Sequence, residues 1–250
     1  VRGKLAGLAG LEVIARGSSD FYRDTTKTTR QIADELGVRY LLTATVRWQR
    51  SDDGPSRIRL SSELVDAQPG QSPVALGHDR VDATLADVFE VQADIATKVV
   101  SALGVALGAQ DQESLVQRPT DNLEAYELYM QAERISREAL GGSLVRSSRV
   151  ADLYQQAIDL DPNFASAWAG LSMAQSRLFR LFKGTQDQAD AARNSAERAL
   201  ELDPTLPYVR LAMSRYFNEV RQDSKSAKEQ IDIGLRDSPN HADLIREQAR

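Results

Sequence analysis

The chain contains no cysteine, so disulfides and thiolate metal sites are excluded and either redox environment is tolerated. Only two histidines occur, His78 and His241, far apart in the chain, which leaves a zinc site short of its usual nitrogen donors. Long apolar runs are missing too. The best candidate, VVSALGVALGA from Val99, falls short of the roughly 20 residues that span a bilayer, and it carries glycine. There is no basic excess: 31 Lys and Arg stand against 36 Asp and Glu, a formal net charge of −5, whereas a nucleic-acid binder should show a basic footprint. What is present suits a soluble globular chain. Its 250 residues are 42% hydrophobic and 27% charged, enough for one large domain or two ordinary ones. The amino terminus has no signal-peptide pattern. Val1 opens the chain and HADLIREQAR closes it inside a helical pattern, so the expectation is a piece of a longer protein.

The second half repeats itself. QQAIDLDPNFASAWAGL, ERALELDPTLPYVRLAM and IDIGLRDSPNHADLI each write the end of an amphipathic helix, a proline break and a new helix. Pro162, Pro204 and Pro239 are separated by 42 and 35 residues. Before each proline, small or apolar residues recur at helical steps: Val150, Tyr154 and Ala157, then Ala192, Ala196 and Ala199, then Ala227, Ile231 and Gly234. After the first proline, Phe164, Trp168, Leu171, Leu178 and Phe182 continue an apolar stripe. Proline cannot continue the helix before it, and its fixed φ suits the start of the next. Asp161 and Asp203, just ahead of their prolines, can satisfy orphan helix groups.

Trp168, Leu171, Ala157 and Pro162 resemble the tetratricopeptide-repeat pattern, whose period is about 34 residues. Ser172 and Ala132 stand where that family usually has glycine, and the third unit departs further, with Arg210 for the large apolar residue. The larger interval is expected to be absorbed by a loop in FKGTQDQADA, and the first unit carries extra residues around ALGGSLVRSS. Three repeats from about Asn122 plus the first helix of a fourth are expected.

Residues 1–108 read differently. LEVIA is expected as a short strand. TTRQIADELG reads as a helix with Ile32, Ala33 and Leu36 on one face and Gly37 as its stop. RYLLTATVRWQR and SRIRLSSELVDA alternate, with Tyr40, Leu42, Ala44, Val46 and Trp48 on one side of the first and Ile58, Leu60 and Leu64 on one side of the second. SDDGP between them makes a β-hairpin. PVALGHDRV reads as a third strand. TLADVFEVQADIATKVVSAL reads as a long helix with Leu85, Val88, Phe89, Ile95, Val99 and Leu103 at helical steps, and Thr84 with Asp87 as a capping box.

LEVIARGSSDFY, IADELGVRYLLTATVR, RIRLSSELVDA and DVFEVQADIATKV, in this order, resemble the TolB amino-terminal-like domain. Ala44, Val74 and His78 depart from the family's usual glycine, tryptophan and tyrosine. The family's opening strand is missing, with 1–10 as the remnant of its first helix. The resemblance implies a small α+β domain, truncated at its start, over 1–108, a linker over 109–120, and an all-α tetratricopeptide-repeat superhelix over 121–250. In bacteria this pairing resembles the carboxy-terminal region of serine/threonine protein kinases, class III adenylate cyclases and winged-helix transcription regulators. VRW and LADVFEVQADIA look most like the kinase set, though no kinase residue lies in the chain.

No constellation of catalytic type emerges. His78 with Asp79 or Asp82 reads as solvated strand polarity rather than a nucleophile–base pair. GKLAGLAG lacks the lysine and hydroxyl of a phosphate loop, and the DDG at Asp52 is too short for a calcium loop. Arg47, Arg57 and Arg59 are read as cross-strand partners of Glu63. Neither cofactor nor metal is expected. The expected function is non-catalytic: a protein-interaction, scaffold or sensor module of a larger bacterial signalling protein, holding a peptide or protein in the concave groove of stacked helix pairs. The repeat register places Tyr126, Tyr129, Glu133 and Arg137 on that groove, then Ser166, Ala169, Met173 and Arg177, then Tyr208, Leu211, Arg215 and Asn218. Tyrosine and arginine are strong anchors. Ala169 and Met173 do not support a lysine–asparagine clamp on a terminal carboxylate. The alternative is a first domain that binds a small ligand while the repeats bring two copies together as a homodimer.

Overall fold

The computed structural model describes residues 1–6, 8, 10–14, 16–23, 25–49, 57–84, 87–108, 112, 115–138 and 144–249. They fall into two compact units, Val1–Gln117 and Arg118–Arg250. Among the described residues no helix is long and apolar enough to cross a membrane.

In the first unit, short helices α1 (Arg2–Ala6) and α2 (Arg16–Asp20) precede α3 (Thr29–Leu36). Helix α3 has both ends written in its sequence. Thr28 and Gln31 form a reciprocal capping box, and Gly37 closes the helix at φ 65, a backbone state that glycine enters freely. Strands β1 (Tyr40–Gln49), β2 (Arg57–Asp66) and β3 (Val74–Thr84) make an antiparallel sheet in that order. The register pairs Leu42 with Leu64 and Val46 with Leu60, so the alternating apolar positions share one face. The SDDGP turn lies outside the described residues. Helix α4 (Val88–Ala102) packs Ile95, Ala96, Val99 and Val100 with Leu64, Leu5, Leu8 and Leu115, all buried.

Three readings are corrected here. LEVIA forms no strand: residues 11–14 have no ladder, and Leu11 and Val13 instead lay their side chains on the core. Helix α4 begins at Val88 with Asp87 in the N-cap position, three residues beyond a start at Thr84. Arg59 pairs with Asp82 (Nε to Oδ1, 2.6 Å), not with Glu63, because the register sets Asp82 directly opposite Arg59 and His78 opposite Glu63. Leu115, within the stretch read as linker, is 2% exposed, and its carbonyl accepts from Lys4 Nζ at 2.5 Å.

The second unit is a run of helices: α5 (Leu123–Glu138), α6 (Leu144–Leu160), α7 (Ala165–Phe182), α8 (Gln186–Leu202), α9 (Pro207–Tyr216), a π-helical turn (Phe217–Arg221), α10 (Ser224–Asp237) and α11 (Ala242–Gln248). Each packs on its chain neighbours, and α9 also packs on α7 and on α11, so the first helices of the later pairs, α7, α9 and α11, stack on one another. The positions singled out before each proline are buried: Ala157, Ala192, Ala196 and Ala199 at 0%, and Ile231 at 2%. The aspartates ahead of the prolines do not cap the following helices, whose N-cap positions are Phe164 and Leu206; they fold the junctions instead, Asp161 accepting from Asn163 N at 3.0 Å, and Asp203 from Thr205 N at 3.0 Å and Leu206 N at 3.1 Å. Thr120 Oγ1 donates to the other oxygen of Asp161 at 2.5 Å, tying the chain ahead of α5 to the end of α6.

Arg210, which looked out of place, performs the same task as Trp168. Trp168 Nε1 donates to the carbonyl of Pro162 at 2.9 Å, and Arg210 Nε to the carbonyl of Pro204 at 3.1 Å, each reaching back six residues to its own break. The excess of the 42-residue interval does not go into a loop. Only residues 183–185 separate α7 from α8, and those helices run 18 and 17 residues, longer than the 10-residue α9 with its five-residue π-turn and the 14-residue α10. The stripe on α7 fades at its end, where Phe182 is 43% exposed.

At Gly170 α7 lies close against α6: an added Cβ would stand 2.5 Å from the Tyr154 ring. That ring is fully enclosed and has nowhere to go. Gly170→Ala is therefore expected to lose about 1–3 kcal/mol of stability, although alanine is the better helix former. Thermal denaturation checks this: an unchanged or raised midpoint refutes the close packing.

Candidate functional site

The candidate site is the face made by α5, α7, α9 and α11. On α5, residues three and four apart share a face. Tyr126 and Tyr129 stack there with ring centroids 6.3 Å apart, and both are half-buried. Tyr129 also leans on Phe164 at 5.0 Å and on Tyr154 at 5.8 Å, so it belongs as much to the core as to the surface. Met130, one step along the same stripe, is 37% exposed and was missed in the sequence.

Glu133 is held internally. Its Oε1 accepts from the hydroxyl of Tyr154 on α6 at 2.6 Å and from that of Tyr208 on α9 at 2.5 Å. Burial first, and the Glu133 charge second, push both hydroxyls well above the ordinary tyrosine value. The Tyr208 bond reaches from the first helix of the third pair back to the first helix of the first pair, across α7. The side chain of Arg137 lies outside the described residues.

On α7, Ala169 is fully buried, Ser166 and Arg177 are half-buried, and half-buried Met173 packs against Leu211, Leu244 and Tyr208. On α9, Leu211 is 5% exposed and serves the core, while Asn218, in the π-turn, is exposed. Arg215 Nη2 donates to Glu247 Oε2 of α11 at 3.2 Å. The register thus gathers its residues in two places. Tyr126, Tyr129, Glu133 and Tyr208 form an aromatic part, and Arg177 and Arg215 belong to a charged part. Ala169 and Leu211 lie beneath the surface.

The charged part also contains Arg180, Glu219 and Glu247, which sequence reasoning did not select. Arg180 Nε stands 3.7 Å from Glu219 Oε2. Burial raises the Glu219 carboxyl above the ordinary range, against the pull of Arg215 and Arg180 and with a push from Glu247. A helical step was the available signal, because Arg180 follows Arg177 by three and Glu219 follows Arg215 by four. Tyr154 had been read only as packing.

His78 is exposed on β3 in the first unit, and His241 occupies the N-cap of α11. Among the described residues no group of three or more His, Asp or Glu is placed to hold a metal ion.

No family model matches the chain. A protein of Rhizobium meliloti (strain 1021) named "Putative adenylate cyclase 3" is 32% identical over 209 residues, which cover 81% of this chain and 33% of that protein. The chain therefore spans about a third of the length of the curated relative it matches. This similarity fits the adenylate-cyclase member of the groups that the sequence resembles.

Proposed function

We propose that the chain is a non-catalytic recognition module. A TolB-like α+β unit is followed by tetratricopeptide-type helix pairs, and the inner face of the pairs receives an extended peptide or a segment of another protein. The observation that carries this reading is the Tyr208–Glu133 hydrogen bond of 2.5 Å between α9 and α5. It supports a single continuous inner face across three pairs, floored by buried Ala169 and Leu211 and walled by half-buried Tyr126, Met173 and Arg177. Aromatic and arginine side chains on a rigid helical floor are what hot spots are made of. In the longer parent, the module serves as the scaffold or sensor arm of a signalling enzyme. The similarity to a named cyclase favours a nucleotidyl cyclase over a kinase as that enzyme.

The test is an array of random-sequence, carboxy-amidated peptides probed with the whole chain. Binders are expected, and Tyr126→Ala together with Arg177→Ala is expected to weaken them by about tenfold or more. Tyr126 is preferred to Tyr129 because Tyr129 supports Phe164. An array without binders, or binders indifferent to both substitutions, overturns the groove.

A further inference from the structure

The charged end of the inner face gathers groups of both signs: Arg177 and Arg180 come from α7, Arg215 from α9, Glu219 from the π-turn and Glu247 from α11. Arg215 is hydrogen-bonded to Glu247 at 3.2 Å, and the Glu247 side chain is only 9% exposed. The second pair is poorly matched. Arg180 Nε lies 3.7 Å from Glu219 Oε2, beyond hydrogen-bond range, and that buried oxygen accepts no hydrogen bond.

Glu219 lies in the π-turn with its side chain only 14% exposed, while Arg180 on α7 stays 53% exposed. The Arg180 fork is thus turned toward solvent at the end of the groove, tied only by a long contact.

Resting on the groove reading above, we propose that this end of the inner face receives an acidic side chain of the bound segment, with Arg180 as its main contact and Arg177 and Arg215 supplying the surrounding positive charge. A ligand carboxylate can meet the Arg180 fork with both oxygens, the planar geometry that arginine favours and Glu219 does not reach. The raised pKa of Glu219 works in the same direction. The groups facing it are Arg215, Arg180, Glu247 and Arg177. As pH falls, Glu219 takes up its proton before an ordinary carboxylate does, which releases Arg180 to the ligand.

The same amidated peptide array separates this proposal from the reading beneath it, since no terminal carboxylate is present. Binders are expected to be enriched in Asp and Glu, and replacing those residues by Asn and Gln should weaken them about tenfold. Arg180→Gln should abolish the preference for acid over amide. Arg198→Gln, which removes an exposed arginine of α8 paired with Glu201, should preserve it. Glu219→Gln should strengthen binding of the acidic peptides. Binders without acidic enrichment, or an Arg180→Gln chain that still prefers acid, overturn this proposal and leave the groove standing. An array with no binders overturns both.

Discussion

Replacing Glu133 by alanine is expected to cost about 3–5 kcal/mol of stability, an exceptional loss for a side chain on a half-open face. Its Oε1 receives two tyrosine hydroxyls, at 2.6 and 2.5 Å, from helices α6 and α9. A hydrogen bond to a charged acceptor contributes about 1.5–3 kcal/mol, and a buried donor left without its acceptor forfeits its desolvation as well. Both Tyr154 and Tyr208 would be left in that state. Glu133→Gln retains an acceptor oxygen and should lose only about 1–2 kcal/mol. Urea denaturation followed by circular dichroism measures both. A double-mutant cycle with Tyr208→Phe should return a coupling of about 1–3 kcal/mol, and no coupling would show that the two groups do not meet. The pH dependence has a definite sign. The folded chain holds the two phenolic protons above the ordinary value of 10.0, so their contribution is fully present below that value and is lost as pH climbs through the raised ones. Tyr208→Phe should flatten this alkaline loss.

The sequence made some of this legible and concealed the rest for physical reasons. Local signals translated directly. Thr28 with Gln31 and Gly37 bound α3, the alternation in RYLLTATVRW and RIRLSSELV became paired strands, and the aspartate–proline junctions became tight turns between helices. Where an outcome depended on a partner, local pattern was insufficient. LEVIA has the composition of a strand but no neighbour to ladder with, and its apolar residues are served by side-chain packing alone. Arg210 looked like a defect because the pattern expects bulk there. Its role is a hydrogen bond to the preceding proline carbonyl, which a guanidinium supplies as well as an indole. The site divided in the same way. A helical register identifies the face on which Glu133 lies, but it cannot show that Tyr208 comes from 75 residues away to bind it. Arg180 and Glu219 lie a helical step beyond Arg177 and Arg215, but that step cannot show that α7 and the π-turn bring the two within 3.7 Å of each other.

Phe164→Ala is the second large effect, and its consequence is more than a loss of area. Phe164 stands at the N-cap of α7, just after the first proline break, with 0% exposure. Its ring lies 5.0 Å from Tyr129 of the preceding pair, inside a cluster with Val150, Leu153, Tyr154, Ala157 and Ile158. Truncating a buried phenylalanine costs about 3–5 kcal/mol through lost transfer energy and the cavity left behind. The cavity falls at the junction between the α5–α6 and α7–α8 pairs, and in a stack held mainly by contacts between neighbouring pairs, with the Tyr208–Glu133 bond as the longer link, such a loss weakens one interface selectively. The variant should therefore unfold in two steps. Helices α5 and α6 should separate at low urea while α7 to α11 persist, with Trp168 beside the damaged junction reporting the first step by fluorescence. Hydrogen exchange should show loss of protection confined to residues 122–160 under native conditions. A single cooperative transition at a lower midpoint would mean that the long Tyr208–Glu133 bond binds the pairs into one unit. In that case the junctions of this stack are secured from its inner face as firmly as by its core.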